Sequence, residues 1–276
     1  MLPSSKLIYD LVKQALAEDI GTGDITAMLI PESKTAHARI ITREPMVLCG
    51  EAFVRKVFKQ VDAHTDIHFK ILDGEHADAG ATLFEAHGTA RALLTAERTA
   101  LNFLQMLSGT ATQTRRYVNA LIGTHTKLLD TRKTIPGFRL AQKYAVKCGG
   151  GHNHRIGLYD AFLIKENHIM ACGSITTAVA TAKKIAPGKP VEVEVETLQQ
   201  LQEAITAKAD IVMLDNFDIP EMQNAVELNQ SQSKLEASGN VSLENIANIA
   251  KTGVDFISVG AITKNIQAID LSMRLI

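Results

Sequence analysis

Between residues 127 and 259 the chain alternates short apolar runs with helix-length stretches, and this rhythm is the strongest constraint on its fold. The runs fall at 127–129, 161–164, 191–195, 211–214, 234–235 and 255–259, and helical spacing fills 174–185, 197–207, 219–228 and 243–251. Such alternation predicts parallel strands joined by right-handed crossovers. Six such units are enough to close, or nearly close, a β/α barrel. No repeat, low-complexity tract or Pro/Gly/Ser-rich linker interrupts the chain.

Roughly the first 110 residues read instead as an α+β module. Leu7, Ile8, Leu11, Val12, Ala15 and Leu16 recur at helical spacing, with Ser4 or Ser5 placed to cap the start and Gly21 to end it. Residues 38–42 and 67–72 read as strands, 51–61 as a helix and Asp73-Gly74 as a turn. From 90 to about 122 the pattern is helical, with an interruption expected near Ser108-Gly109.

Composition excludes several classes. With 276 residues, 46% hydrophobic and 21% charged, the chain can bury a large core and is not disordered. A net charge of −1 gives no whole-molecule attraction for nucleic acid or an anionic membrane. No segment approaches the ~20 apolar residues of a membrane span, and the N-terminus lacks the apolar stretch of a signal peptide. Cys49, Cys148 and Cys172 stand far apart, with no CxxC pair, as in a reduced protein. The expected compartment is the cytoplasm.

The residues after each run carry the chemistry. Asp130-Thr131-Arg132-Lys133 follows the first and Lys165-Glu166-Asn167-His168 the second. Glu192, Glu194 and Glu196 lie on the third, Asp215-Asn216 ends the fourth, Glu236–Asn240 follows the fifth and Gly260-Ala261 the sixth. In a β/α barrel all these ends face one mouth. Arg132, Lys133, Lys165, Glu194 and Asp215 are therefore expected around one cavity, since charges at buried strand ends are costly unless paired or used. The three alternating glutamates share one strand face, either inside, where cations or a metal must offset their repulsion, or on a solvated edge strand. Gly149-Gly150-Gly151 is expected to bring backbone N–H groups close to an anion. Arg155 offers a fork for a carboxylate or phosphate, and His152 and His154 raise a weak metal alternative. Ser238-Gly239-Asn240 and Val259-Gly260-Ala261 are turns of the kind that cradle a phosphate.

Together these stretches resemble quinolinate phosphoribosyltransferase. The match rests on EDIGTGDIT at 18–26, ERTALN at 97–102, DTRKT at 130–134, GGGHNHRIGLYD at 149–160 and IKENH at 164–168. It continues through VEVEVETL at 191–198, MLDNF at 213–217, EASGN at 236–240 and TGVDFISVGA at 252–261. The resemblance implies an α/β fold, with an N-terminal α/β sandwich domain at 1–109, rejoined by 265–276, and an incomplete β/α barrel at 110–264. It implies condensation of quinolinate with phosphoribosyl pyrophosphate, needing Mg2+, to give nicotinate mononucleotide, pyrophosphate and CO2 in de novo NAD synthesis. It also implies a homodimer or assembly of dimers.

By position, Arg98 matches an arginine given across the dimer interface to a quinolinate carboxylate. Thr131, Arg132 and Lys133 match a substrate-binding triplet, His154 and Arg155 the quinolinate pocket, and Lys165 the lysine between the two substrates. Glu194 and Asp215 match acids near the ribose hydroxyls and Mg2+. Ser238, Gly239, Asn240, Val259, Gly260 and Ala261 match the segments around the 5′-phosphate, with Asn240 where a second glycine is common. Lys133, Lys165, Glu194 and Asp215 are the expected catalytic set. The rivals are a related transferase for nicotinate or another pyridine base, a relative from molybdenum-transport operons and a silent ligand-binding relative. Three arginines suit a diacid better than a monoacid, and a Schiff base on Lys165 has no carbonyl to engage in quinolinate.

Overall fold

The computed structural model of the protein describes residues 2–276. They divide into two compact units. One takes the chain up to Arg115 with Leu140–Gly150 and Asn265–Ile276, and the other takes Arg116–Arg139 and Gly151–Lys264.

In the first unit, α1 (Ser5–Ile20) buries the stripe Ile8, Val12 and Leu16. Ser4 Oγ accepts from the Leu7 N–H at 3.3 Å, and Gly21 ends the helix at a φ of 54°. There follow β1 (Thr35–Thr42), β2 (Met46–Val47), α2 (Glu51–Val61), β3 (Asp66–Phe69), β4 (His76–Ala77), β5 (Thr82–Thr89) and α3 (Ala90–Asn119). β3, β5 and β1 form an antiparallel sheet, to which the chain's last strand adds on the β1 side. The ring of Phe58 on α2 meets that of Phe84 on β5 edge-on, and Phe69 stacks on Phe84 at 4.7 Å.

α3 runs unbroken through Ser108-Gly109, contrary to the expected interruption. Both small residues serve tertiary contacts instead. A Cβ on Gly109 would run into the Gln267 carbonyl, so the missing side chain admits the C-terminal segment, where the Ile269 N–H donates to Gln105 O. Ser108 Oγ accepts from the Cys49 N–H at 3.0 Å and donates to Cys49 O at 3.2 Å. These contacts offset the roughly 1 kcal/mol that a mid-helix glycine costs.

The chain continues as β6 (Lys127–Leu129), α4 (Arg139–Cys148), β7 (Phe162–Ile164), α5 (Glu166–Cys172), α6 (Ile175–Ile185), β8 (Val191–Val195) and α7 (Leu198–Thr206). Next come β9 (Ile211–Asp215), α8 (Ile219–Asn229), β10 (Lys234–Ser238), α9 (Ile246–Ala250), β11 (Phe256–Ser258), α10 (Ala261–Lys264) and β12 (Leu271–Leu275). All but α4 and β12 belong to the second unit or its strand–helix cycle. Side-chain caps start the helices: Ser174 on α6, Thr197 on α7, and Asp218 in a capping box with Glu221 on α8.

Six strands pair in parallel in the order β6-β11-β10-β9-β8-β7, an incomplete barrel whose end strands do not pair with each other. Beside β6, the His152 N–H donates to Leu128 O and the Asp130 N–H to His152 O. Val191, Val193, Val195, Leu214, Ala237 and Ile257 are fully buried, as parallel strands covered on both faces require. No helix among the described residues is long and apolar enough to cross a membrane.

Candidate active site

A cavity of about 250 Å³ opens at the C-terminal ends of the parallel strands. Thr131, Arg132 and Lys133 enter it from the end of β6, and His154 and Arg155 from the segment before β7. Lys165 enters from the end of β7, Glu194 from β8 and Ser238 from β10. Eight residues picked out in the sequence thus share one hollow, as chain reversal at parallel strand ends dictates.

Asp130, fully buried, sets the geometry. Its Oδ1 accepts from the His154 N–H at 2.8 Å and its Oδ2 from Asn153 Nδ2 at 2.6 Å, tying the segment before β7 to the end of β6. His154 Nδ1 accepts from the Arg155 N–H at 2.7 Å, so the ring proton sits on Nε2, 2.9 Å from Glu192 Oε2. Thr131 Oγ1 accepts from the Lys133 N–H, and Thr263 Oγ1 donates to Lys133 O. Lys165 Nζ lies 2.5 Å from Glu194 Oε2, and its N–H donates to His168 Nδ1.

The cationic side keeps a donor unmet. Arg132 Nε is buried with no hydrogen-bond partner. Burial, and next the neighbouring Arg132 guanidinium, push the Arg155 pKa below its usual value. An unmet guanidinium donor beside a second arginine is an arrangement with the chemistry to accept a carboxylate.

The acidic side differs from expectation. Glu192, Glu194 and Glu196 do not act alike, and β8 is an interior strand rather than a solvated edge. Glu192 is buried, Glu194 lines the cavity, and Glu196 lies exposed beyond the strand end. Glu236 was expected in the loop after a run ending at 235. The strand in fact continues to Ser238, so Glu236 lies mid-strand and fully buried. His154, Glu192 and Glu236 bring ligand atoms within 4.8 Å of one another. Burial, and then the Glu192 charge, raise the Glu236 pKa to about 8. Two facing carboxylates bond only when one carries a proton, and at neutral pH Glu236 carries it. The sequence signal for both acids was their place inside otherwise apolar strands.

Several expected residues sit elsewhere. Asp215 ends β9 beside Ser238, with Asn216 Nδ2 donating to its Oδ2 at 3.0 Å, but it does not line the cavity. Gly239 and Asn240 line a neighbouring hollow of about 310 Å³ with Asn216 and Asn245. Gly239 has a φ of 100° and Asn240 a φ of 49°, a left-handed turn that asparagine tolerates in place of glycine. The Val259 N–H is used on Leu129 O, and a Cβ on Gly260 would press on the Lys133 side chain. Ala261 begins α10. Arg98 is exposed on α3 in the first unit. The glycine triplet is a helix terminus rather than an anion nest. The Gly149 and Gly150 N–H groups bond Ala145 O and Lys147 O, and a Cβ on Gly149 would strike Ala111 O and Thr114. His152 is exposed and takes no part in the His154 cluster.

The profile of the quinolinate phosphoribosyl transferase N-terminal domain matches residues 24–108, and that of the C-terminal domain matches residues 110–274. The chain belongs to the quinolinate phosphoribosyl transferase family. It is similar to the nicotinate-nucleotide pyrophosphorylase structure from Francisella tularensis, with a TM-score of 0.98 and 55% identity over 99% of this chain and 98% of that one. NadC from Streptococcus pyogenes superposes with a TM-score of 0.97 at 38% identity, covering 100% of this chain and 99% of that one. A Bacillus subtilis protein named probable nicotinate-nucleotide pyrophosphorylase (carboxylating) is 42% identical over 95% of this chain and 91% of its own. Family membership accounts for the two-part architecture.

Proposed function

We infer that this family member transfers phosphoribosyl from phosphoribosyl pyrophosphate to quinolinate with decarboxylation, yielding nicotinate mononucleotide, pyrophosphate and CO2 in NAD synthesis. The "carboxylating" in its relatives' names describes the same reaction run backwards. The observation that carries the reading is the convergence of Arg132, Lys133, Arg155 and Lys165 on one cavity, with Arg132 holding an unmet buried donor.

Two polyanions must meet in one hollow, so their repulsion sets the barrier to binding. Arg132 and Arg155 take the carboxylates of quinolinate and fix the ring plane. Lys133 lies towards the phosphates, with Thr131 and Thr263 holding its backbone. Ser238, Gly239, Asn240, Gly260 and Ala261 supply the surroundings of the 5′-phosphate, with Val259 anchoring that loop to β6. The pyridine nitrogen attacks ribose C1 as pyrophosphate leaves. Glu194 and Asp215 hold the ribose hydroxyls, and Glu194 also stabilises positive charge developing on the sugar. Lys165, paired with Glu194, sits between the two substrates. Once the ring nitrogen is quaternary, the electrons left by the departing 2-carboxyl group are stabilised by the adjacent positive charge. The protein then supplies orientation and exclusion of water.

Mg2+ belongs to this proposal. Glu194 and Asp215 are hard oxygen donors at adjacent strand ends, a set that fits Mg2+ directly or through water. When bound, the ion supplies charge neutralisation for the pyrophosphate leaving group. Arg98, exposed on the first unit, fits a role in a neighbouring copy's pocket, which makes a homodimer the working form. A cytoplasmic setting is part of the same proposal.

The test is incubation with phosphoribosyl pyrophosphate, Mg2+ and either quinolinate or nicotinate. CO2 and nicotinate mononucleotide are expected with quinolinate alone, and turnover of nicotinate instead overturns the reading. Mixing Arg98→Ala with Lys165→Ala subunits tests the shared site, since rapidly exchanging heterodimers regain part of the activity only if Arg98 acts across the interface.

A further inference from the structure

Cys49 and Cys148 stand 99 positions apart, yet the fold of the first unit brings their Sγ atoms and an Asp73 carboxylate oxygen within 4.8 Å of one another. Cys49 is buried in the segment before α2, and Cys148 is the half-buried last residue of α4. Both are held in place. Ser108 bonds the Cys49 N–H and C=O, while the Arg115 guanidinium donates to Cys148 O at 3.3 Å and to Gly149 O at 2.9 Å.

The cluster is a poor metal site. Asp73 already accepts from the Gly50 and Glu51 N–H groups at the start of α2 and from the Tyr144 hydroxyl at 2.7 Å. Turning it to a cation would strip the cap from α2, whose N-cap Gly50 has no side chain to replace it. A dithiol faces no such cost, because its sulfurs react with each other.

We propose that Cys148 and Cys49 form a hydroperoxide-reactive thiol pair, with Cys148 the attacking sulfur and Cys49 the resolving one. The assignment follows from exposure and from hydrogen bonding. Cys148 is the more accessible residue of the two, and the Cys49 thiol stabilises its thiolate, lowering its pKa despite burial. Burial pushes the Cys49 thiol up, which keeps it protonated as the donor. A sulfur with thiolate character beside a second thiol is the arrangement that gives reversible oxidation.

The chemistry balances with a hydroperoxide as the only co-reactant. The Cys148 thiolate attacks the hydroxyl oxygen of the hydroperoxide, an S–O bond forms as the O–O bond breaks, and the departing hydroxide or alkoxide takes up the proton that the Cys148 thiol released on ionising, leaving as water or alcohol. The Cys49 sulfur then attacks the sulfenic sulfur. An S–S bond forms, the S–O bond breaks, and hydroxide leaves with the Cys49 proton as water. Two thiols are oxidised by two electrons in all, and the peroxide is reduced. A dithiol reductant reverses the step by exchange. The crosslink would fasten the end of α4, six positions before His154, to the start of α2.

The experiment treats the folded, full-length protein with one equivalent of hydrogen peroxide, alkylates it, and maps the peptides by mass spectrometry without reduction. A Cys49–Cys148 peptide lighter by two hydrogens is expected, and the thiols titrated after denaturation fall from three to one. Dithiothreitol restores all of them. In Cys49→Ser, dimedone traps a sulfenic acid on Cys148; in Cys148→Ser, Cys49 stays unmodified. Oxidation confined to Cys172, or a Cys49–Cys148 peptide formed only in denaturant, overturns the proposal on wild-type protein alone, whatever the variants do.

Discussion

Replacing Glu236 by glutamine probes the buried acid pair directly, because the amide keeps the shape of a protonated carboxyl but cannot ionise. Glu236 is fully buried, and its pKa rises from 4.5 to about 8 through burial and the Glu192 charge. The folded state therefore holds this proton more tightly than the unfolded chain does, and stability declines wherever the unfolded state has already lost it. Below about pH 4.5 both states are protonated and nothing is lost. From there to about pH 8 the wild type gives up about 1.4 kcal/mol per pH unit, and above that the loss is constant. At pH 7 the accumulated cost is about 3 kcal/mol. Glu236→Gln escapes it, because the amide has no proton to lose over this range. Urea denaturation of both proteins from pH 5 to 9, without substrates, gives the stability difference. It should grow in favour of the variant by roughly 4 kcal/mol between pH 5 and 8 and then level off. Parallel profiles would show that the proton does not sit on Glu236 in the folded protein.

Arg132→Lys keeps the charge but loses the fork, and the KM for quinolinate should rise about 10- to 100-fold with the fold unchanged, read by steady-state kinetics and circular dichroism. An unchanged KM removes Arg132 from the carboxylate site. Asp130→Ala removes the acceptor that the His154 N–H and the Asn153 amide share; a loss of about 3 kcal/mol in urea denaturation is expected, together with weaker quinolinate binding. Gly109→Ala puts a Cβ against the Gln267 carbonyl, and should cost about 1–3 kcal/mol by the same assay even though alanine favours helix.

The strand–helix rhythm was legible because each β/α unit carries its own signals. Val191–Val195 reads as a buried strand on local composition alone, and Ser174, Thr197 and Asp218 cap the helices near them. The cationic residues were legible for the same reason, since position after a strand fixes the mouth they face. Glu236 was misplaced because an acid after two residues of a short run looks like a loop, and only pairing with β9 and β11 extends the strand past it. The glycine triplet misled because glycine permits an anion nest, a helix end and close packing alike, and only the partners of its N–H groups decide among them.

The sequence by itself determined the alternation of strands and helices over 127–259, the parallel direction of the six strands and which cations face their common end. These follow from periodicity, capping and chain reversal, which are local or topological. Tertiary structure alone decided that Glu236 joins Glu192 and His154, that α3 passes intact through Gly109, that Leu140–Gly150 belongs with the first unit, and that Cys49 meets Cys148. Each is a contact between residues distant along the chain. Burial and neighbouring charge exist only once the core has closed, and they set the proton on one glutamate and the reactivity of one thiol.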